Sequence, residues 1–187
     1  MNKAVFFDRD GVIIKKIAGE APTKISDLEL IPEAIPVISE LKNKGYKIIV
    51  VSNQPNVAQG IITEEVNNGL VKKFEKLLKE NNINVDGVYY CFHHERGVVK
   101  KYIRICNCKK PKPGMLLKAM RDHKIDPKES YMVGDRALDI KAGSLAGVKT
   151  ILIDPENSEK FYLLEYKAKP DFVIKKLTNV LNIIKDS

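Results

Sequence analysis

Phe6-Phe7-Asp8-Arg9-Asp10-Gly11-Val12 is an apolar run that breaks off into Asp-x-Asp-Gly. A short, β-branched or aromatic run closed by polar residues reads as a buried strand, here Ala4 to Phe7, ending at Asp8. Two carboxylates two residues apart at a strand end can hold a hard cation through oxygen. The first can also attack phosphorus, as carboxylates do when they form aspartyl-phosphates. Gly11 allows a sharp turn whose backbone N–H groups face an anion. Alone the pattern is weak, because Asp-x-Asp-Gly also occurs in calcium loops and ordinary turns.

The same strand signal recurs along the chain. Lys47–Val51 ends at Ser52-Asn53, Val85–Tyr90 at Cys91, Tyr131–Val133 at Gly134-Asp135 and Val148–Ile153 at Asp154, with Asp171–Ile174 as a sixth candidate. Helical patterns lie between them. Thr63 can cap a helix with Glu64 and Glu65 in its first turn and Val66, Leu70, Phe74 and Leu77 at helical spacing. Pro113 can open another, Leu138–Ala146 is stopped by Gly147, and helices are also expected over Ile31–Leu41 and Lys176–Ile184. Strands alternating with helices predict an α/β fold, Rossmann-like, with a mostly parallel sheet and helices on both faces. Asp8, Ser52 and Asp135 then end strands at one rim, where such folds place their sites.

Three further segments fit that rim. Val50 to Gln54 ends a buried strand in a hydroxyl and two amides, Ser52, Asn53 and Gln54, which suit phosphate oxygens. Lys110, in Lys109-Lys110-Pro111-Lys112-Pro113-Gly114, precedes a helix and could neutralise a phosphoryl group or simply be a solvated lysine beside a turn. Gly134-Asp135-Arg136-Ala137-Leu138-Asp139 spaces two carboxylates four apart, on one face if the segment is helical.

Cys91-Phe92-His93 and Cys106-Asn107-Cys108 form a second cluster. Three thiolates and one imidazole make a closed tetrahedral zinc set, hence a structural site. In extended chain Cys91 and His93 point the same way and His94 the opposite way, which favours His93 as the ligand.

With 187 residues, the chain suits one domain, expected over 1–187 with the zinc loop at about 91–108. The odd cysteine count argues against a disulfide framework, and no apolar run reaches the roughly 20 residues of a membrane span. A cytoplasmic protein is expected, monomeric and without membrane contact. The net charge of +8 comes from lysines scattered along the chain. It is open to an anionic substrate, to nucleic acid, or to no function at all. A nucleic-acid binder would need stacking aromatics or a reading helix, which the Arg96–Arg104 stretch lacks.

Taken together and in this order, the four segments resemble the motif set of the haloacid dehalogenase (HAD) superfamily. The resemblance implies a magnesium-dependent phosphomonoesterase. Asp8 would be the nucleophile and Asp10 the general acid and base, with Ser52 and Lys110 on the transferring phosphoryl group. Magnesium would be held by Asp8, the carbonyl of Asp10, and Asp135, with Asp139 supporting Asp135 or Arg136. Arg9, Asn53, Gln54, Gln59, Lys109 and Arg136 are the expected substrate contacts. The cysteine–histidine loop before Lys-Pro-x-Pro-Gly narrows the likeness, over residues 3 to 155, to the D,D-heptose 1,7-bisphosphate 7-phosphatases. The related histidinol-phosphate phosphatases share that loop. The implied fold has no large cap domain, and the implied reaction removes the 7-phosphate of a heptose bisphosphate. Histidinol phosphate or another sugar phosphate is the alternative substrate, and a polynucleotide end a remoter one. Lys109 and Gln59 stand where the heptose enzymes use arginines, and a lysine lacks the guanidinium fork. The loop Lys15–Lys24 also departs from the family pattern, since it lacks the usual tyrosine.

Overall fold

A computed structural model describes every residue except Pro155, Asp186 and Ser187. The chain runs β1 (Ala4–Phe7), α1 (Ala34–Asn43), β2 (Lys47–Asn53), α2 (Glu64–Glu80), β3 (Gly87–Cys91), α3 (Gly114–His123), β4 (Tyr131–Gly134), α4 (Ala137–Ala146), β5 (Lys149–Ile153), α5 (Lys160–Glu165), β6 (Phe172–Ile174) and α6 (Val180–Ile183). The six strands form one parallel sheet in the order β3-β2-β1-β4-β5-β6. The order reverses at β1, so the crevice for a ligand lies beyond the carboxyl ends of β1 and its two neighbours. Phe7 pairs with Val50 on one side and Val133 on the other, so Asp8 leaves the sheet between β2 and β4.

Strand alternation divides the interior in two. Val5, Phe7, Ile48 and Val50 face α1, α2 and α6, where Val37, Leu41, Leu70, Phe74 and Val180 close the core. Ala4, Phe6, Ile49 and Val51 face α3 and α4, against Met115, Leu116, Ala119 and Ala142. β1 is buried on both faces, which is why it reads as a continuous apolar run rather than an alternating one. This core rigidly mounts the residues that follow β1.

The helix signals resolve with small shifts. Thr63 caps α2 by accepting from the Val66 N–H at 3.2 Å. Pro113 is the cap residue of α3 rather than its first helical residue. Pro36 lies in the first turn of α1, where its missing N–H costs no hydrogen bond. The expected helix at Lys176–Ile184 is a 3-10 turn, Leu177–Asn179, followed by the short α6. The sequence gives no sign of α5, because Phe161, Tyr162 and Leu164 remain exposed and no buried stripe marks the helix. Among the described residues, no helix is long and apolar enough to cross a membrane.

Candidate active site

Asp8 follows β1 and anchors the floor of a cleft of about 490 Å³. Its Oδ1 accepts from the Arg9 N–H at 2.7 Å and faces Lys110 Nζ at 2.9 Å. Both contacts fall on Oδ1, which leaves Oδ2 for attack. Lys110 is 2% exposed, and its ammonium also meets Asp139 Oδ1 at 2.6 Å and the Val51 carbonyl at 2.9 Å. All three ammonium donors are therefore directed. Burial alone would lower the lysine's pKa, but the charges of Asp139 and Asp8 outweigh it and raise it, so Lys110 stays a cation. Burial is also the largest influence on Asp139 and lifts it; Lys110 opposes this, and Asp8 and Asp135 reinforce it.

The backbone of Lys110 is clamped by Asn53, which accepts from its N–H and donates to its carbonyl, both at 3.0 Å. Asn53 thus borders the cleft but spends its amide on positioning Lys110. Ser52 and Gln54 lie just beneath the wall, 1% and 5% exposed, and Gln54 donates to Ser52 Oγ at 2.9 Å and to Asp10 Oδ2 at 2.5 Å. Asp10, Gln59, Lys109 and Arg136 do line the cleft.

Arg9, expected among the substrate contacts, is not among the residues that line the cleft. Its guanidinium turns under the floor, where Nε and Nη2 bond Asp10 at 3.0 and 3.1 Å. It lies 5.8 and 5.9 Å from the ring centres of Phe74 and Tyr90. Arg9 is buried because the aromatic faces of α2 and β3 accept its charge. Residues that the sequence reading did not single out also line the cleft, among them Lys16, Glu20, Arg104 and Lys112. Lys16 and Glu20 lie in a loop already marked as divergent, but nothing in its composition shows that Lys16 Nζ pairs with Asp135 Oδ2.

Asp8, Asp135 and Asp139 bring carboxylate oxygens within 4.8 Å of one another. Asp135 Oδ1 is buried and has no hydrogen-bond partner, an atom whose chemistry calls for a cation. A side chain at Gly11 would put its Cβ 2.1 Å from Asp135 Oδ2, and the residue has φ +90°. The glycine therefore meets two demands, a left-handed turn and room for the carboxylate. These residues fit magnesium, an oxygen-seeking ion held by a few carboxylates. Asp139 itself is turned to Lys110 and to the Arg136 N–H, at 3.1 Å from Oδ2.

The second cluster assembles from the end of β3 and the long connection to α3. Cys91, His93, Cys106 and Cys108 converge, with Sγ–Sγ distances of 3.1 to 3.6 Å and His93 Nδ1 at 3.2 Å from Cys108 Sγ. A tetrahedron with metal–sulfur bonds of about 2.3 Å has sulfur–sulfur edges of about 3.8 Å, so the four donors suit zinc after a small expansion. None of the thiols is in a disulfide. Burial pushes the Cys91 thiol up, and burial with the Arg104 charge pushes His93 down. His94 is outside the cluster, and its Nδ1 accepts from the Arg96 N–H.

Asp10 suits proton transfer. Burial raises its pKa most, Arg9 opposes, and Asp8 adds to the rise. Asp10→Asn is expected to slow hydrolysis of alkyl phosphates on the order of 10²- to 10⁴-fold. It should slow nitrophenyl phosphate much less, because that leaving group departs without a proton. Steady-state rates on both esters check this; equal losses would remove Asp10 from the acid role.

Known proteins resemble this chain in sequence and in fold. A family model described as HAD-hydrolase-like matches residues 107–180. D-glycero-beta-D-manno-heptose-1,7-bisphosphate 7-phosphatase of Haemophilus influenzae is 37% identical over 99% of this chain and 98% of its own. The enzyme of the same name from Escherichia coli K12 is 35% identical over 97% of this chain and 93% of its own. In fold, the chain is similar to D,D-heptose 1,7-bisphosphate phosphatase of B. bronchiseptica, solved with magnesium and phosphate, at TM-score 0.77 and 23% identity over 95% of each chain. With its motifs joined at one rim and its relatives matching end to end, the chain belongs to the HAD-like phosphatase family of these heptose-bisphosphate enzymes.

Proposed function

We propose that the protein removes the 7-phosphate of D-glycero-D-manno-heptose 1,7-bisphosphate through a phospho-aspartate on Asp8. The observation that carries the reading is one cleft with two cationic regions. Lys110 stands at the floor beside Asp8, and Arg104, Lys109 and Lys112 line the wall supplied by the cysteine loop. A sugar with a phosphate at each end matches that layout. Its volume suits a sugar bisphosphate as well. Histidinol phosphate has a single phosphate and would leave Arg104, Lys109 and Lys112 without an anionic partner on the substrate. For a nucleic-acid reader, the connection 92–113 offers a single 3-10 turn, Lys100–Tyr102, and no reading helix.

In the proposed reaction Asp8 Oδ2 attacks the phosphorus in line while Lys110 neutralises phosphoryl oxygens. Asp10 gives its proton to the departing sugar oxygen, then takes one from the water that cleaves the aspartyl-phosphate. Asp8, the Asp10 carbonyl and Asp135 would hold magnesium, which would supply charge neutralisation on the same phosphoryl group. Zinc at Cys91, His93, Cys106 and Cys108 is assigned a structural role, since four protein ligands leave no open position. Three unpaired thiols gathered as ligands fit a reducing cytoplasmic setting.

The test is a panel of heptose bisphosphate, histidinol phosphate, other sugar phosphates and a 5′-phosphorylated oligonucleotide. The heptose bisphosphate should show the highest kcat/KM, with release from carbon 7. A better specificity constant for any other member would overturn the substrate assignment while leaving the phosphatase chemistry intact.

A further inference from the structure

Lys16 is not among the residues that the family's motifs assign. It sits between two fixed points. Lys15 before it bonds Glu29 through its N–H at 2.9 Å and its ammonium at 3.0 Å. After it, Ile17 and Glu20 exchange backbone bonds at 2.9 and 3.0 Å, and Arg136 reaches Gly19 O at 3.4 Å. The backbone is thus held at the cleft rim while the four-carbon stem remains free to choose partners. That stem passes over Gly11, where an added Cβ would lie 2.9 Å from Lys16 Cε. Its ammonium ends on Asp135 Oδ2, with the two side chains 20% and 14% exposed.

Charge counting shows what this contact implies. Asp8, Asp135 and Asp139 face two ammonium groups, Lys110 and Lys16, so one negative charge is left over. A divalent cation arriving at Asp135 overshoots neutrality unless one ammonium leaves. Lys110 cannot leave, because it is buried and held by three acceptors. Lys16 can, because it is on a flexible stem at the open side. Its departure leaves the cluster neutral and puts a cation into the cleft, where a phosphate dianion needs one.

Building on the family's magnesium chemistry, we propose that Lys16 is a tethered counter-cation that magnesium displaces from Asp135, and that the released ammonium then binds oxygens of the phosphorylated substrate. Lys16 thereby sets an order of events, metal before substrate. It also keeps the carboxylate cluster from repelling itself until the metal arrives.

Calorimetric titration of magnesium alone into the full-length protein tests the first half. Lys16→Met should bind magnesium up to about fivefold more tightly than wild type, because an ion pair of up to about 1 kcal/mol no longer competes. Lys16→Arg should restore wild-type affinity, and Lys15→Met should leave it unchanged. Titrating inorganic phosphate at saturating magnesium tests the second half. Lys16→Met should bind phosphate several-fold more weakly, and Lys16→Arg near normally. Lys16→Gln serves as a second neutral variant, and melting curves verify that each protein is folded. Unchanged or weaker magnesium binding in the neutral variants overturns the displacement. Tighter magnesium with unchanged phosphate binding overturns the transfer to substrate. Neither readout uses the sugar, so a wrong sugar assignment leaves both intact.

Discussion

Asp8→Asn is expected to lower turnover on any phosphomonoester on the order of 10⁴-fold or more, with the fold preserved. The amide has the shape of the carboxylate but is a poor nucleophile. Among the described residues the neighbouring carboxylates are otherwise engaged: Asp10 by Arg9 and Gln54, and Asp139 by Lys110. The melting temperature should change little for a stated reason. The substitution takes one anionic partner from Lys110, which keeps Asp139 and the Val51 carbonyl. It also removes a negative charge that raises Asp135 and Asp139, so repulsion among the carboxylates falls. Magnesium should bind more weakly, since one ligand oxygen has lost its charge. Phosphate release and a melting curve on one preparation decide it. A folded variant with wild-type turnover would rule out the aspartyl-phosphate mechanism.

Much of this site was legible because its residues follow strands. A buried parallel strand has one direction and one end, so Asp8, Ser52 and Asp135 could be set at a common rim from the strand signals alone. The choice of His93 over His94 rested on alternation in an extended chain, and the structure puts His93 Nδ1 among the sulfurs and His94 on the Arg96 N–H. What stayed hidden depends on side-chain direction beyond the strand ends. Arg9 adjoins Asp8 in sequence, yet its guanidinium turns under the floor to Asp10 and toward Phe74 and Tyr90, which strand patterns do not reveal. Asn53 lines the cleft as expected, but that its amide also clamps Lys110 is seen only in the fold. Lys16 lies in a loop with no periodicity, so only the fold could bring it to Asp135. α5 was missed for the opposite reason, since a helix that buries no stripe leaves no pattern.

Cys106→Ser should strip the zinc and expose how the site divides its work. Purified wild-type protein should carry about one tightly held zinc per chain, apart from exchangeable magnesium. A serine hydroxyl stays protonated and replaces a thiolate poorly, so three ligands remain of a site that can contribute on the order of 10 kcal/mol. The sheet should still form, because its two cores are built from β1, β2, β4 and the helices, with Cys106 and Cys108 only packed at the margin of one. The melting temperature should drop and the loop should become sensitive to protease. The loss of activity should be uneven. Lys110 keeps its Asn53 clamp and its three ammonium partners without the metal. Arg104 belongs to the loop that the metal pins, and the Lys112 ammonium rests on the Cys106 carbonyl at 3.1 Å, so both side chains depend on the zinc-held segment. KM for a sugar bisphosphate should therefore rise on the order of 10-fold or more, while kcat on a small monophosphate falls only a few-fold. Metal analysis, melting curves and the two kinetic constants on the same preparation test this. Fully active, zinc-free wild-type protein with an unchanged melting temperature would show that the four residues hold no structural metal. A collapse of kcat on both substrates with KM unchanged would show that the loop fixes Lys110 after all, and that the Asn53 clamp does not suffice.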